Sequence, residues 1–143
     1  MRRTKAAFRA TREMVGMTQQ ALADAMGVEV RSVKRWENAG LGGYNPPEDA
    51  WTVLLEARGA QMAVVDEAVS RVEAIVDERG DDLKSVEIPY WSSAEDYERW
   101  HVSDDGGDWR MANANSRAVA AVLDSLLAIE VDWVSGSDNL VVF

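Results

Sequence analysis

The sequence predicts a mainly helical α+β protein, with a helical N-terminal domain over residues 1–57, a long connecting helix over 58–80 and a small α+β domain over 81–143. Three observations lead there. Capped apolar segments of helical period fill the first third of the chain, an apolar stripe with alternating steps of four and three runs on from Trp51, and strand-like alternation begins only beyond Gly80. The length of 143 residues suits one ordinary domain, or a small one with an appendage.

Met14, Met17, Leu22, Ala23, Met26, Val28, Val33 and Trp36 fall at spacings that suit short helices turning about a common core. Thr18 can accept a hydrogen bond from an unpaired N–H of a helix opening at Gln19, and Gly27 tolerates the left-handed conformation that ends one. A second short helix is expected over residues 29–38, stopped by Asn38-Ala39-Gly40 and the glycine-rich Leu41-Gly42-Gly43. In Asn45-Pro46-Pro47-Glu48 a cap residue, a first-turn proline and an acid three positions past the cap stand in the order of a helix start.

The helix that follows carries Trp51, Leu55, Arg58, Met62, Val65, Val69, Val72 and Val76 on one stripe, and seven of these eight sites are apolar. Unbroken to Arg79 it would be about 50 Å long, a rod that cannot bury its stripe alone. Trp51, Leu55, Met62, Val65, Val69 and Val72 are therefore candidate dimerisation residues in a two-chain coiled coil or helix pair. The alternative is a helix that ends near Gly59, followed by another packed on the C-terminal region, since Arg58 and Gly59 weaken the middle of the stripe.

Beyond Gly80, Val86, Ile88 and Tyr90 alternate with polar residues as in a strand, and Pro89 suggests a sheet edge. Ser93 caps a short helix through Trp100, residues 104–108 form a loop, and Val119, Val122, Leu123, Leu126 and Leu127 stripe another helix. The end reads as a hairpin: Ile129, Val131 and Trp133 alternate, residues 135–139 turn, and residues 140–143 return.

A composition of 47% hydrophobic and 28% charged residues is that of a soluble globular protein. With no signal peptide or membrane span legible, a cytoplasmic location is expected. Cysteine is absent, which excludes disulfides, thiolate metal sites and cysteine nucleophiles. The net charge of −10 is unevenly spread: residues 1–40 hold eight cations against four anions, for +4, and residues 41–143 hold seven against 21, for −14. The positive end suits phosphate, and the acidic remainder would repel DNA and so orient the molecule on it.

The segment from Met17 to Val28, with Thr18-Gln19, Leu22-Ala23 and Gly27, followed by Val33-Lys34-Arg35-Trp36-Glu37-Asn38, resembles the helix-turn-helix of Cro and xenobiotic-response-element regulators. The likeness spans residues 4–57 and implies a lambda-repressor-like domain whose recognition helix enters the major groove of duplex DNA. It places Val30, Arg31 and Arg35 at base-reading positions and Gln19 at a phosphate clamp. Gln20, Ser32 and Lys34 are further phosphate candidates, and Arg2, Arg3 and Lys5 could follow the backbone as a basic arm. Two departures stand out: Glu29 occupies the position where Ser or Thr usually caps the recognition helix, and the loop over residues 39–47 is long.

The C-terminal half, through Val86-Glu87-Ile88-Pro89-Tyr90, Glu95-Asp96-Tyr97, Asp108-Trp109-Arg110-Met111 and residues 118–122, resembles the small C-terminal domain of YdiL-like and phage anti-CRISPR-associated repressors. That likeness implies a dimerisation domain, with Trp109, Val119 and Leu123 as core or dimer contacts. Chemistry is poorly provided for. His101 is the only histidine, the Asp104-Asp105 and Asp108 loop lacks the ligand alternation of a calcium site, and Glu95, Asp96 and Glu98 suit a helix N-terminus better than a catalytic pair. The six tryptophans suit packing better than a ligand cage. No metal, cofactor or enzymatic activity is expected. The expected function is that of a sequence-specific repressor or autoregulator, homodimeric on a palindromic operator. The rivals are an antitoxin whose acidic C-terminal region neutralises a protein partner, and an interaction adaptor that does not bind DNA.

Overall fold

Hydroxyl caps and glycine stops cut the first third of the chain into short helices. In the computed structural model, which describes residues 1–101 and 107–135, α1 (Lys5–Val15) opens with the Thr4 hydroxyl accepting from the Ala7 N–H at 3.0 Å and closes at Gly16. α2 (Gln19–Met26) opens with Thr18 accepting from the Ala21 N–H at 2.9 Å and closes at Gly27, whose φ of 66° is left-handed, as the sequence predicts. α3 (Val30–Glu37) follows Glu29, whose side chain makes no capping hydrogen bond. Its carboxylate therefore acts on the helix N-terminus through charge alone.

α4 (Glu48–Arg79) starts later than the Asn45 pattern suggests: the Pro47 carbonyl accepts from the Ala50 and Trp51 N–H groups at 3.1 and 3.2 Å. The reason is steric. Asn45 and Pro46 each precede a proline, which pushes both out of the helical region, so the first turn can form only after Pro47. From there α4 runs for 32 residues as one helix, straight through Gly59.

The chain divides into two compact units, Met1–Met62 and Ala63–Phe143. In the first, α1, α2, α3 and the start of α4 enclose Phe8, Val15, Leu22, Ala23, Val33, Ala50, Trp51 and Leu54. Phe8 stands edge-on to Trp51 at 5.2 Å and to Trp36 at 6.2 Å, the geometry that ring quadrupoles favour. In the first unit the buried face of α4 includes two positions outside the expected stripe. Leu54 and Gln61 are 0% and 3% exposed, whereas Leu55 and Met62 stand 38% and 53% exposed. Leu54 shares its face with Ala50 and Trp51, four and three residues back. Gln61 is buried because its polar atoms are satisfied: its amide donates to the Met14 carbonyl at 2.8 Å and its oxygen accepts from Arg58.

In the second unit the order is β1 (Ser85–Pro89), α5 (Ala94–Trp100), α6 (Trp109–Val122) and β2 (Glu130–Val134). Ser93 caps α5 as expected, accepting from the Asp96 N–H at 3.1 Å, and Asp108 caps α6 through the Arg110 and Met111 N–H groups. α6 passes into a single π-helical turn at Leu123–Leu127 that ends in a left-handed Ala128. The partner of β2 among the described residues is β1, parallel to it, in register from Ser85 with Glu130 to Pro89 with Val134. Parallel strands need a crossover, and α5 and α6 supply it. The expected terminal hairpin depends on residues 136–143, which lie outside the described residues, as do Asp104 and Asp105. The core joins Val72, Ile88, Val119, Ala120, Leu123 and Ile129, with Val65, Val69 and Val76 packed on it. Asn113 fastens α6 to the chain after β1: it accepts from the Trp91 N–H at 2.7 Å and donates to the Trp91 carbonyl at 2.9 Å.

These cores absorb much of the proposed dimer stripe. Trp51, Val72, Val119 and Leu123 are buried inside their own units. Trp109 is half-buried with the Arg110 guanidinium 4.4 Å from its ring. The members of the stripe left on the surface are Leu55 and Met62.

Candidate nucleic-acid interface

α3 is held from behind by packing and from its C-terminal end by charge. Val33 is fully buried, and Val30 and Trp36 pack in part against the first unit's core. Glu37, the last residue of α3, turns inward to Arg12 of α1: Arg12 Nε donates to Oε1 at 2.5 Å and Nη2 to Oε2 at 3.0 Å. The third prong, Nη1, reaches the Met17 carbonyl at 2.8 Å, and the Gln19 amide at the start of α2 donates to Glu37 Oε2 at 2.9 Å. One buried ion pair thus joins α1, the turn and the start of α2 to the end of α3. A guanidinium fork on a carboxylate fixes direction as well as distance.

Lys5 supplies a second fastening. Its ammonium donates to the carbonyls of Arg35 and Asn38 at 3.1 Å each and of Leu41 at 2.5 Å. Three carbonyls engage its three donors, so Lys5 caps the C-terminus of α3, where a cation suits the dipole. Arg3, also assigned to the basic arm, pairs with Glu48 at 2.5 Å and lies 5.4 Å from the Trp51 ring centroid. Arg2 is exposed.

With Glu37 turned inward, α3 presents only cations and small groups outward. Arg31 and Lys34 are exposed; Ser32 is half-buried. Arg35 is half-buried because its guanidinium lies 5.0 Å from the ring centroid of Tyr44, in the loop after α3. Val30 is partly spent on the core, which leaves Arg31, Lys34 and Arg35 as the outward long side chains. Gln20 donates to Asp24 at 2.8 Å across one turn of α2. On the exposed side of α1, the Arg9 hydrogen bond to Glu13 at 2.8 Å draws that carboxyl below its ordinary range and raises Arg9. Guanidinium and ammonium groups on one helix face can fork onto guanine edges or neutralise phosphates.

Arg12 and Tyr44 make contacts at this site that the sequence reading missed. Arg12 falls among apolar positions of α1, and its spacing to Glu37 is visible only in three dimensions. Tyr44 is the aromatic residue in an otherwise glycine-rich loop, a signal that was available.

Residues 8–48 match the helix-turn-helix family model. The matched stretch runs from Phe8 to the first residue of α4 and contains the Arg12 to Glu37 brace and all of α3. It covers under a third of the chain, and the helix-turn-helix assignment extends to that stretch alone. No curated protein matches the chain. Among the described residues no helix is long and apolar enough to cross a membrane, and no group of His, Asp and Glu could hold a metal ion.

Proposed function

We propose that the protein is a sequence-specific, double-stranded DNA-binding transcriptional regulator, a repressor or autoregulator that acts as a homodimer on a palindromic operator. The observation that carries this reading is the outward face of α3, where Arg31, Lys34 and Arg35 project from a helix-turn-helix whose one α3 carboxylate is turned inward onto Arg12. α3 enters the major groove, Arg31 and Arg35 reach base edges, and Lys34 and Arg2 neutralise phosphate. The −14 of residues 41–143 is repelled by the duplex and keeps the basic end toward it. Two copies joined through exposed apolar residues of α4, Leu55 and Met62, place their α3 helices on half-sites about one turn, roughly 34 Å, apart. No catalytic chemistry is assigned.

Equilibrium binding to genomic fragments at two salt concentrations, with the oligomeric state measured alongside, tests the reading. Phosphate contact predicts affinity that falls steeply with salt. Absent or salt-indifferent binding would contradict it.

A further inference from the structure

We infer that Tyr44 is a positioning residue for base reading, holding the Arg35 guanidinium in the orientation that meets the duplex. The inference rests on the DNA-binding reading above and extends it to a loop outside α3. The Arg35 guanidinium carbon lies 5.0 Å from the Tyr44 ring centroid, while the ring itself is 48% exposed. A residue so exposed adds little to the core. What it does touch is one of the outward cations of α3.

The loop is built to hold the ring there. Lys5 donates to the carbonyls of Arg35, Asn38 and Leu41, which ties the end of α3 to the start of the loop. The Asn38 side chain accepts from the Gly40 N–H at 2.9 Å, and the Tyr44 N–H donates back to the Leu41 carbonyl at 3.4 Å. Tyr44 is thus anchored through its backbone to the same carbonyl that Lys5 binds.

An aromatic ring suits this task because it attracts the guanidinium through the ring face and leaves the N–H edges for hydrogen bonds. A free arginine must lose rotamer freedom when it forks onto a base. One already held by a ring loses less, so affinity rises for the sequence that the fork fits. Arg31 has no such ring contact among the described residues, so the effect belongs to Arg35.

The test uses the full chain and a duplex selected from a random pool. Affinity for that duplex and for random duplex is measured for wild type, Tyr44→Leu, Tyr44→Phe, Arg35→Ala and the Tyr44→Leu, Arg35→Ala pair. Tyr44→Leu is expected to weaken the selected duplex about 2- to 5-fold, the range of an exposed cation–π contact, and to leave random duplex unchanged. Tyr44→Phe should match wild type. In the Arg35→Ala background Tyr44→Leu should have no further effect. The inference is overturned if Tyr44→Leu binds as wild type does, if Tyr44→Phe falls as far as Tyr44→Leu, which would mean a hydroxyl contact to phosphate, or if the loss persists without Arg35. A wild type that selects no sequence overturns the DNA-binding reading itself, an outcome distinct from these. Circular dichroism of each variant verifies that the fold is kept.

Discussion

Arg12 and Glu37, 25 residues apart, meet in a two-pronged ion pair whose side chains are 9% and 5% exposed. A buried pair of this kind is costly to break from one side, because the survivor is left charged and unpaired. Arg12→Ala should therefore destabilise the fold by about 3–5 kcal/mol, read from urea-induced unfolding. The double change Arg12→Met with Glu37→Leu should cost less than Arg12→Ala, since it leaves no orphaned charge. A double variant as unstable as the sum of the two single changes would contradict this account of the brace.

Lys5 gives a cleaner separation between holding the fold and touching DNA. Lys5→Met should lower stability by about 1–2 kcal/mol through loss of the α3 cap. It should leave the salt dependence of DNA binding unchanged, because its ammonium is already spent on carbonyls. Lys34→Ala should do the opposite: stability is kept, and the slope of log affinity against log salt falls by about 0.9. A Lys5→Met slope that drops as far as that of Lys34→Ala would return Lys5 to the phosphate-binding arm.

Gly59 sits in the interior of α4, exposed, with nothing within 4 Å of where a Cβ would stand. Gly59→Ala should raise stability by about 0.5–1 kcal/mol, by reducing the backbone freedom that the unfolded chain loses on forming helix. Thermal melting measures it. A lower melting temperature would show that the helix bends or packs at that point.

Local chemistry was what the sequence made legible. Thr18, Gly27 and Ser93 act within four residues of themselves, so their caps follow from residue type and spacing, and α2, α3 and α5 lie where those signals put them. Distance in sequence hid the rest. The parallel pairing of β1 with β2 joins segments separated by two helices, which alternation of apolar residues cannot indicate. Burial of Gln61 on α4 escaped because hydropathy ranks Met62 above Gln61, whereas it follows from hydrogen bonds to Arg58 and to the Met14 carbonyl, 47 residues away. The cap that Lys5 places on α3 was hidden for the same reason: its three carbonyls lie 30 to 36 residues away.

The outward face of α3 is the centre of the account, and selection of bound duplexes from a random pool by wild type, Arg31→Ala and Arg35→Ala tests it most directly. The account predicts a defined preferred sequence for wild type and, in each variant, a relaxed preference at particular base pairs worth about 1–3 kcal/mol of discrimination, with random duplex still bound. Preferences that stay the same in both variants would contradict it.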